Sequence, residues 1–208
     1  MVEDGRQDGT GDLVRGFSKN HPAVRLLTNE KNLGKGSAVR RGMLAAMGEF
    51  VLFTDADMST PIGEADRLLQ YFSEGYEVVI ASRRQKGARI KVSQPPLRRI
   101  AGWLFHNIRR AIILPRIKDT QCGFKCFTAA AAREIFSRSK IDGFVFDVEA
   151  LAIARGLGYR IKEVPVVWID DRRTTLSAAK HASNIILDLL RVKYRSLSGK
   201  YSFADKKN

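Results

Sequence analysis

Only two of the 208 residues are cysteine, Cys122 and Cys126, and only three are histidine. Two thiols four positions apart make no disulfide framework, and the histidines lie too far off in sequence to complete an obvious zinc site with them. Reduced thiols, as in a cytosolic setting, are therefore expected. Long apolar runs are also missing: none approaches the ~20 residues a helix needs to span a bilayer. The opening MVEDGRQDGTGD is too polar for a signal peptide. These absences point to a soluble or peripheral protein with no transmembrane helix in this stretch. No Ser/Gly-rich linker, biased segment or internal repeat is visible, and 17 Gly against 6 Pro is ordinary. A chain of this length is expected to hold one domain, residues 1–175, with 176–208 adding a basic amphipathic helix and tail to it.

Charge is abundant and uneven. Thirty-six Lys+Arg against 22 Asp+Glu leave a net charge of +14, which favours anionic partners: nucleic acid, an anionic membrane surface or phosphorylated substrates. A nucleic-acid role is disfavoured, because no recognised binding motif appears and the basic stretches carry few interleaved aromatics. Short β-rich runs alternate with helical patterns, the signature of an α/β fold with a largely parallel sheet. Strands are predicted at Ala23–Thr28, Glu49–Thr54 and Glu77–Ser82, with one or two more over Tyr159–Trp168 broken at Pro165. Helices are predicted at Lys35–Met47, Ile62–Glu74, Pro96–Leu114, Ala129–Arg138, Asp147–Gly156 and Leu176–Leu197. In the Pro96 helix, Arg98, Arg99, Arg109 and Arg110 fall off the apolar stripe.

Several polar groups then stand where chemistry is usually found. Ligands of open α/β sheets collect beyond the carboxyl ends of the strands, and Asp55-Ala56-Asp57 follows the apolar EFVLFT. Two carboxylates there could hold Mg²⁺ or Mn²⁺, which keeps open positions for phosphate; DADMSTP could equally be a polar turn capping the next helix. Asn32-Leu33-Gly34-Lys35-Gly36 opens a helix with amides and an ammonium suited to an anion, though a plain helix entry accounts for it as well, and the spacing is not that of a P-loop. Arg83 and Arg84 follow a strand toward the same edge, and arginine suits phosphate. Asp119 and Lys125 are read as sharing one loop, with Gly123 between them, that leads into a short strand; an anion site and a metal-proximal acid could be built there, and a plain surface turn accounts for it as well. Asp147 and Glu149 could reach the sheet edge, but the first turn of a helix accounts for them without further function.

The order of these pieces resembles family 2 glycosyltransferases over nearly the whole chain. VEDGRQDGT (Val2–Thr10) looks like that family's second-strand motif, NEKNLGKGSAVRRGM (Asn29–Met43) its next strand-to-helix segment, and TDADMSTP (Thr54–Pro61) its metal-binding turn. ASRR, DTQCGFKCF, FVFDVEAL and EVPVVW look like the dolichyl-phosphate glucosyltransferase branch and its bacterial relatives. The resemblance implies a GT-A (Rossmann-like) fold and an inverting, metal-dependent hexosyl transfer, with UDP-glucose the expected donor and a polyprenyl or dolichyl phosphate the acceptor. It places Asp4, Lys35 and Asp55 on the nucleotide-sugar, Asp55 and Asp57 on Mg²⁺ or Mn²⁺, and Arg83, Arg99 and Lys125 on the acceptor phosphate. Asp57 and Asp119 are the expected catalytic residues. Relatives begin with a strand, a Pro-x-Tyr/Phe-Asn-Glu turn and a helix ahead of the segment that opens here, so an N-terminally truncated GT-A domain is expected.

The alternative is an inactive GT-A domain that binds anionic lipid or a protein partner. In either case the Pro96 and C-terminal helices, with cations beside apolar faces, are expected to dock at least one face on the cytoplasmic side of a membrane.

Overall fold

The computed structural model describes residues 1–5, 8–92, 113–169 and 178–201. Arg99 and most of the predicted Pro96–Leu114 helix lie outside them. A four-stranded sheet forms the centre. Its strands are β3 (Phe50–Thr54), β4 (Val78–Ser82), β6 (Phe124–Thr128) and β7 (Ile161–Pro165), in the order β3-β6-β4-β7. β4 and β7 pair in parallel, whereas β6 runs antiparallel to both β3 and β4. The expectation of a largely parallel sheet thus holds for three strands, with β6 reversed between two of them. Two small parallel pairs flank it: β1 (Val2–Asp4) with β2 (Leu27–Asn29), and β5 (Arg89–Val92) with β8 (Val167–Ile169).

The helices are α1 (Thr10–Ser18), α2 (Lys35–Ala45), α3 (Ala65–Leu69), α4 (Ala129–Arg138), α5 (Phe146–Gly156) and α6 (Ala178–Leu197). Neither α1 nor β5 was expected, and β2 is shorter and later than the predicted strand. The predicted Ile62–Glu74 helix is one α-helical turn, α3, flanked by 3₁₀ turns; Gly75, at φ 83°, ends it in the left-handed conformation that glycine adopts without a Cβ penalty. At α4, the Thr128 hydroxyl caps the Ala131 amide.

The sheet is covered on both sides, so strand alternation sorts residues between two apolar layers rather than between core and water. Phe53, Val78, Ile80 and Phe127 face the layer formed with Phe136 and Leu151. Val79, Ala81, Phe124 and Cys126 face the other, with Leu68 and Trp168. α5 is buried from Phe146 through Ala154, which is why its sequence is apolar nearly all round.

The reversed strand positions the site. Because Thr54 at the end of β3 pairs with Phe124 at the start of β6, the turn before β6 lies at the same sheet edge as the carboxyl ends of β3 and β4. Among the described residues, no helix is long and apolar enough to cross a membrane.

Candidate active site

Two sequence motifs are stitched together at this edge. The Asp55 amide donates to the Gly123 carbonyl at 2.9 Å, and the Thr60 hydroxyl and Cys122 thiol lie 3.6 Å apart, both buried. Gly123 is also a cradle. A Cβ built on it would stand 1.9 Å from Asp55 Oδ2, so the carboxylate occupies space that any larger residue would fill. The turn itself is tight: the Met58 amide donates to the Asp55 carbonyl at 3.1 Å, and Met58 is the one described non-glycine residue with positive φ, at 53°. Asp57 is exposed, with one oxygen accepting from the Ser59 amide at 3.0 Å.

Lys35 closes on this turn from α2. Its Nζ lies 2.6 Å from Asp55 Oδ1. Burial works against the ammonium, but Asp55, with Asp147 and Asp57, overrides it and raises the Lys35 pKa, so the lysine stays charged. The loop that delivers it is held on both sides. Asp4 accepts from the Leu33 and Gly34 amides at 3.0 and 2.7 Å and from Asn29 Nδ2 at 2.7 Å. Opposite, the Gly36 amide donates to the Asp142 carbonyl at 2.7 Å. A Cβ on Gly34 would meet that carbonyl oxygen at 2.4 Å, and one on Gly36 would meet the Ile141 oxygen at 2.3 Å. Asp4, expected on the nucleotide, holds the loop that carries Lys35.

Arg83 and Asp119 form one unit. Arg83 donates from Nε at 2.7 Å, Nη2 at 2.9 Å and its backbone amide at 3.0 Å. Burial opposes the charge on Asp119, but Arg83 overrides it and holds the carboxyl well below the usual carboxylate range; the arginine pKa is raised in turn. Asp119, expected as a catalytic residue, stands at this edge as a carboxylate that aims Arg83. Glu163 supports the turn by accepting from the Asp119 and Lys118 amides at 2.8 and 2.9 Å. Arg83 also lies over the Trp168 ring at 5.3 Å, and the Ile169 amide donates to the Ser59 carbonyl at 2.8 Å, joining EVPVVW to the same edge.

Lys125 is not in this loop and does not reach the surface. It lies on β6, fully buried, with Nζ 2.6 Å from the Cys122 carbonyl and 2.9 Å from Asp147 Oδ1. The expected contact with an acceptor phosphate is not one this position makes. Asp147, read as a helix-start acid, is its partner; burial pushes its carboxyl up against the pull of Lys125 and Lys35. The two ion pairs, Lys35–Asp55 and Lys125–Asp147, are bridged by aromatics. Lys35 lies 5.9 Å from the Phe146 ring, Lys125 lies 5.1 Å from the Phe53 ring, and the two rings are 5.6 Å apart. Glu149, fully buried, accepts from the Lys140 and Ile141 amides and the Tyr201 hydroxyl, each at 2.8 Å, and so locks the turn against which Gly34 and Gly36 pack.

Among the described residues no cluster of three or more His, Cys, Asp or Glu could by itself hold a metal ion. What the edge offers is the Asp55–Asp57 pair. Two hard oxygen donors with the cradle at Gly123 fit a cation that takes its remaining ligands from a phosphate-bearing substrate and water.

Comparison with known proteins agrees with this architecture. The sequence model of Glycosyl transferase family 2 matches residues 1–139. A dolichyl-phosphate beta-glucosyltransferase, ALG5C, of Trichomonas vaginalis is 35% identical over 99% of this chain and 62% of its own length. The dolichyl-phosphate beta-glucosyltransferase of Dictyostelium discoideum is 33% identical over 96% of this chain and 63% of its own. The chain thus spans less than two thirds of the length of these relatives. Among solved structures, glucosyl-3-phosphoglycerate synthase from Mycobacterium tuberculosis in complex with UDP superposes with a TM-score of 0.65 at 18% identity, covering 93% of this chain and 68% of that one. Mannosyl-3-phosphoglycerate synthase from Rubrobacter xylanophilus gives 0.64 at 18% identity, over 100% of this chain and 65% of that one. These superpositions establish the GT-A fold, and with the match over residues 1–139 they lead to one conclusion: the chain belongs to glycosyl transferase family 2.

Proposed function

We propose that this chain carries the transferase site of an inverting enzyme that moves glucose from UDP-glucose to a dolichyl or other polyprenyl phosphate at a membrane surface. The observation that carries the reading is the Asp55–Asp57 turn, cradled by Gly123 and closed by Lys35, in a chain 35% identical to a dolichyl-phosphate beta-glucosyltransferase. Solved structures of the Mycobacterium tuberculosis glucosyl-3-phosphoglycerate synthase contain UDP-glucose with Mn²⁺, and UDP with Mg²⁺, which supports the choice of donor and cation class.

Asp55 and Asp57 would hold Mg²⁺ or Mn²⁺, which supplies neutralisation of the diphosphate charge. Lys35, kept protonated by its acidic neighbours, adds positive charge where the departing diphosphate gathers negative charge. Arg83 meets Asp119 through Nε and Nη2, which fixes the plane of its guanidinium, and the role proposed for that cation is to neutralise the acceptor phosphate. An oxygen of that phosphate attacks the anomeric carbon as the bond from this carbon to the diphosphate oxygen breaks. The products are a β-linked glucosyl phosphate lipid and UDP. A phosphate monoester is already an anionic nucleophile, so the residues need only position and neutralise, and no carboxyl group has to shuttle a proton. Asp119 and Asp147 then act by fixing Arg83 and Lys125.

Calorimetric titration of UDP-glucose and GDP-mannose, with and without Mg²⁺ or Mn²⁺, tests this reading in the parent chain and in Asp57→Ala. Metal-dependent binding of UDP-glucose that disappears in Asp57→Ala is the expected result. Binding indifferent to metal and to Asp57 would overturn it.

A further inference from the structure

Helix α2 brings Lys35 to Asp55, yet no side chain caps it. Gly34 stands at the N-cap position with nothing to offer, so the first amides of the helix need an acceptor from elsewhere. The Asp142 carbonyl supplies it, accepting from Gly36 at 2.7 Å and from Ser37 at 3.4 Å. The same turn grips the helix further along, where Arg40 Nη2 lies 2.6 Å from Asp142 Oδ1. The seat of Lys35 therefore depends on how residues 139–142 are held.

That turn is held, in part, by the segment that follows α6. Glu149, fully buried, turns one oxygen each way. Oε2 accepts the Lys140 and Ile141 amides, both at 2.8 Å, while Oε1 accepts the Tyr201 hydroxyl at 2.8 Å with Arg195 Nη1 3.5 Å away. Arg195 lies in the last turn of α6. Gly199, at φ 66°, ends that helix, and the Lys200 amide donates back to the Arg195 carbonyl at 3.1 Å. This left-handed turn folds Tyr201 into the core, at 1% exposure. Burial, and then the Glu149 carboxylate, raise the tyrosine pKa, so the hydroxyl keeps its proton and donates it. A ring alone would fill the same space; only the hydroxyl fixes the direction in which Glu149 presents its second oxygen.

We propose that Tyr201 is a positioning residue for donor binding: its hydroxyl, through Glu149 and the 139–142 turn, sets where Lys35 meets Asp55 and the diphosphate. It rests on the transferase reading for the identity of the donor, and on the hydrogen-bond geometry alone for the coupling between Tyr201 and the Lys35 loop.

Tyr201→Phe removes one oxygen and keeps the ring in place. Hydrogen–deuterium exchange of the Gly36 and Ser37 amides, followed by NMR, should quicken about 10-fold, the scale of one hydrogen bond to a charged group. Calorimetric affinity for UDP-glucose with Mg²⁺ or Mn²⁺ should fall about fivefold or more. Val79→Ala trims a buried side chain in the opposite apolar layer; it controls for lost stability and should leave both readouts at parental values. A Tyr201→Phe chain that melts earlier but exchanges and binds like the parent would overturn the proposal, leaving Tyr201 a plain anchor of its segment. So would a Val79→Ala chain that moves both readouts by the same factors. A parent that binds no UDP-glucose would instead sink the transferase reading, and the Gly36 and Ser37 exchange rates would still decide the coupling.

Discussion

Replacing Gly123 by alanine tests the cradle most directly. Gly123 is not in the left-handed region, so the added methyl group, rather than backbone strain, is the perturbation. That carbon would lie 1.9 Å from Asp55 Oδ2 and 2.2 Å from Cγ. To regain ordinary contact distance the carboxylate must retreat by about 1.5 Å. It cannot carry its backbone along, because the Asp55 amide is bonded to the Gly123 carbonyl. The side chain must rotate away, giving up the 2.6 Å contact with Lys35. Since the obstacle is the end of a side chain, the folding cost should be small, about 1 kcal/mol, or a melting shift of about 2–4 °C for a chain of this size. The functional cost should be far larger, about 100-fold in metal-dependent donor affinity or turnover, because misplacement by an ångström is felt at that scale. Calorimetry and thermal unfolding on the same preparations separate the two effects. Gly16→Ala, where no atom lies within 4 Å of the new carbon, is the control and should change neither donor affinity nor turnover. Gly123→Ala with parental donor affinity would refute the cradle.

Three further outcomes follow from the buried groups. Lys125→Met strands Asp147 without its ion-pair partner in the core and should cost about 3–5 kcal/mol in denaturant unfolding, while Lys125→Met/Asp147→Leu should recover much of the loss; a single variant as stable as the parent would contradict the pairing. Asp119 has a folded pKa depressed below its unfolded value of ~3.9, so its stabilising contribution is fully present above that value and is lost as pH falls through the folded pKa. Arg83→Gln should therefore flatten the acid limb contributed by this pair, and an unchanged acid transition would argue against it. Burial pushes the Cys122 and Cys126 thiols up to about 11. Native protein at pH 8 should resist a thiol reagent that labels both residues in denaturant, and stability should decline as pH rises above ~8.5, where only the unfolded thiols ionise.

Much of the edge was legible because its signals are local. An apolar strand ending in Asp-Ala-Asp, and glycines before a helix carrying Lys35, needed only neighbours in sequence to be read. Lys125 was not legible in this way. Alternation along FKCFT usually separates core from water, but β6 lies between β3 and β4 with both faces covered, so its lysine points into protein. Asp147 looked like a dipole partner for the same reason, since its true partner is on a strand 22 residues earlier. Asp119 could be placed near the sheet edge, but its bond to Arg83 crosses 36 residues, and nothing local announces it. The reversal of β6 also escaped the βα rhythm, because rhythm counts elements and does not give their direction.

The seating of the Lys35 loop bears on how this scaffold can be rebuilt. Gly34 and Gly36 press on the carbonyls of Asp142 and Ile141, and Glu149 fixes the amides of Lys140 and Ile141 from below. Two stretches more than a hundred residues apart thus behave as one interchangeable part. Transplanting residues 29–45 from a relative with a different donor preference would import a loop whose counter-surface stays behind. A graft that carries 140–149 with it keeps lock and key together, and selection experiments on donor choice should return paired changes in these two stretches rather than single ones.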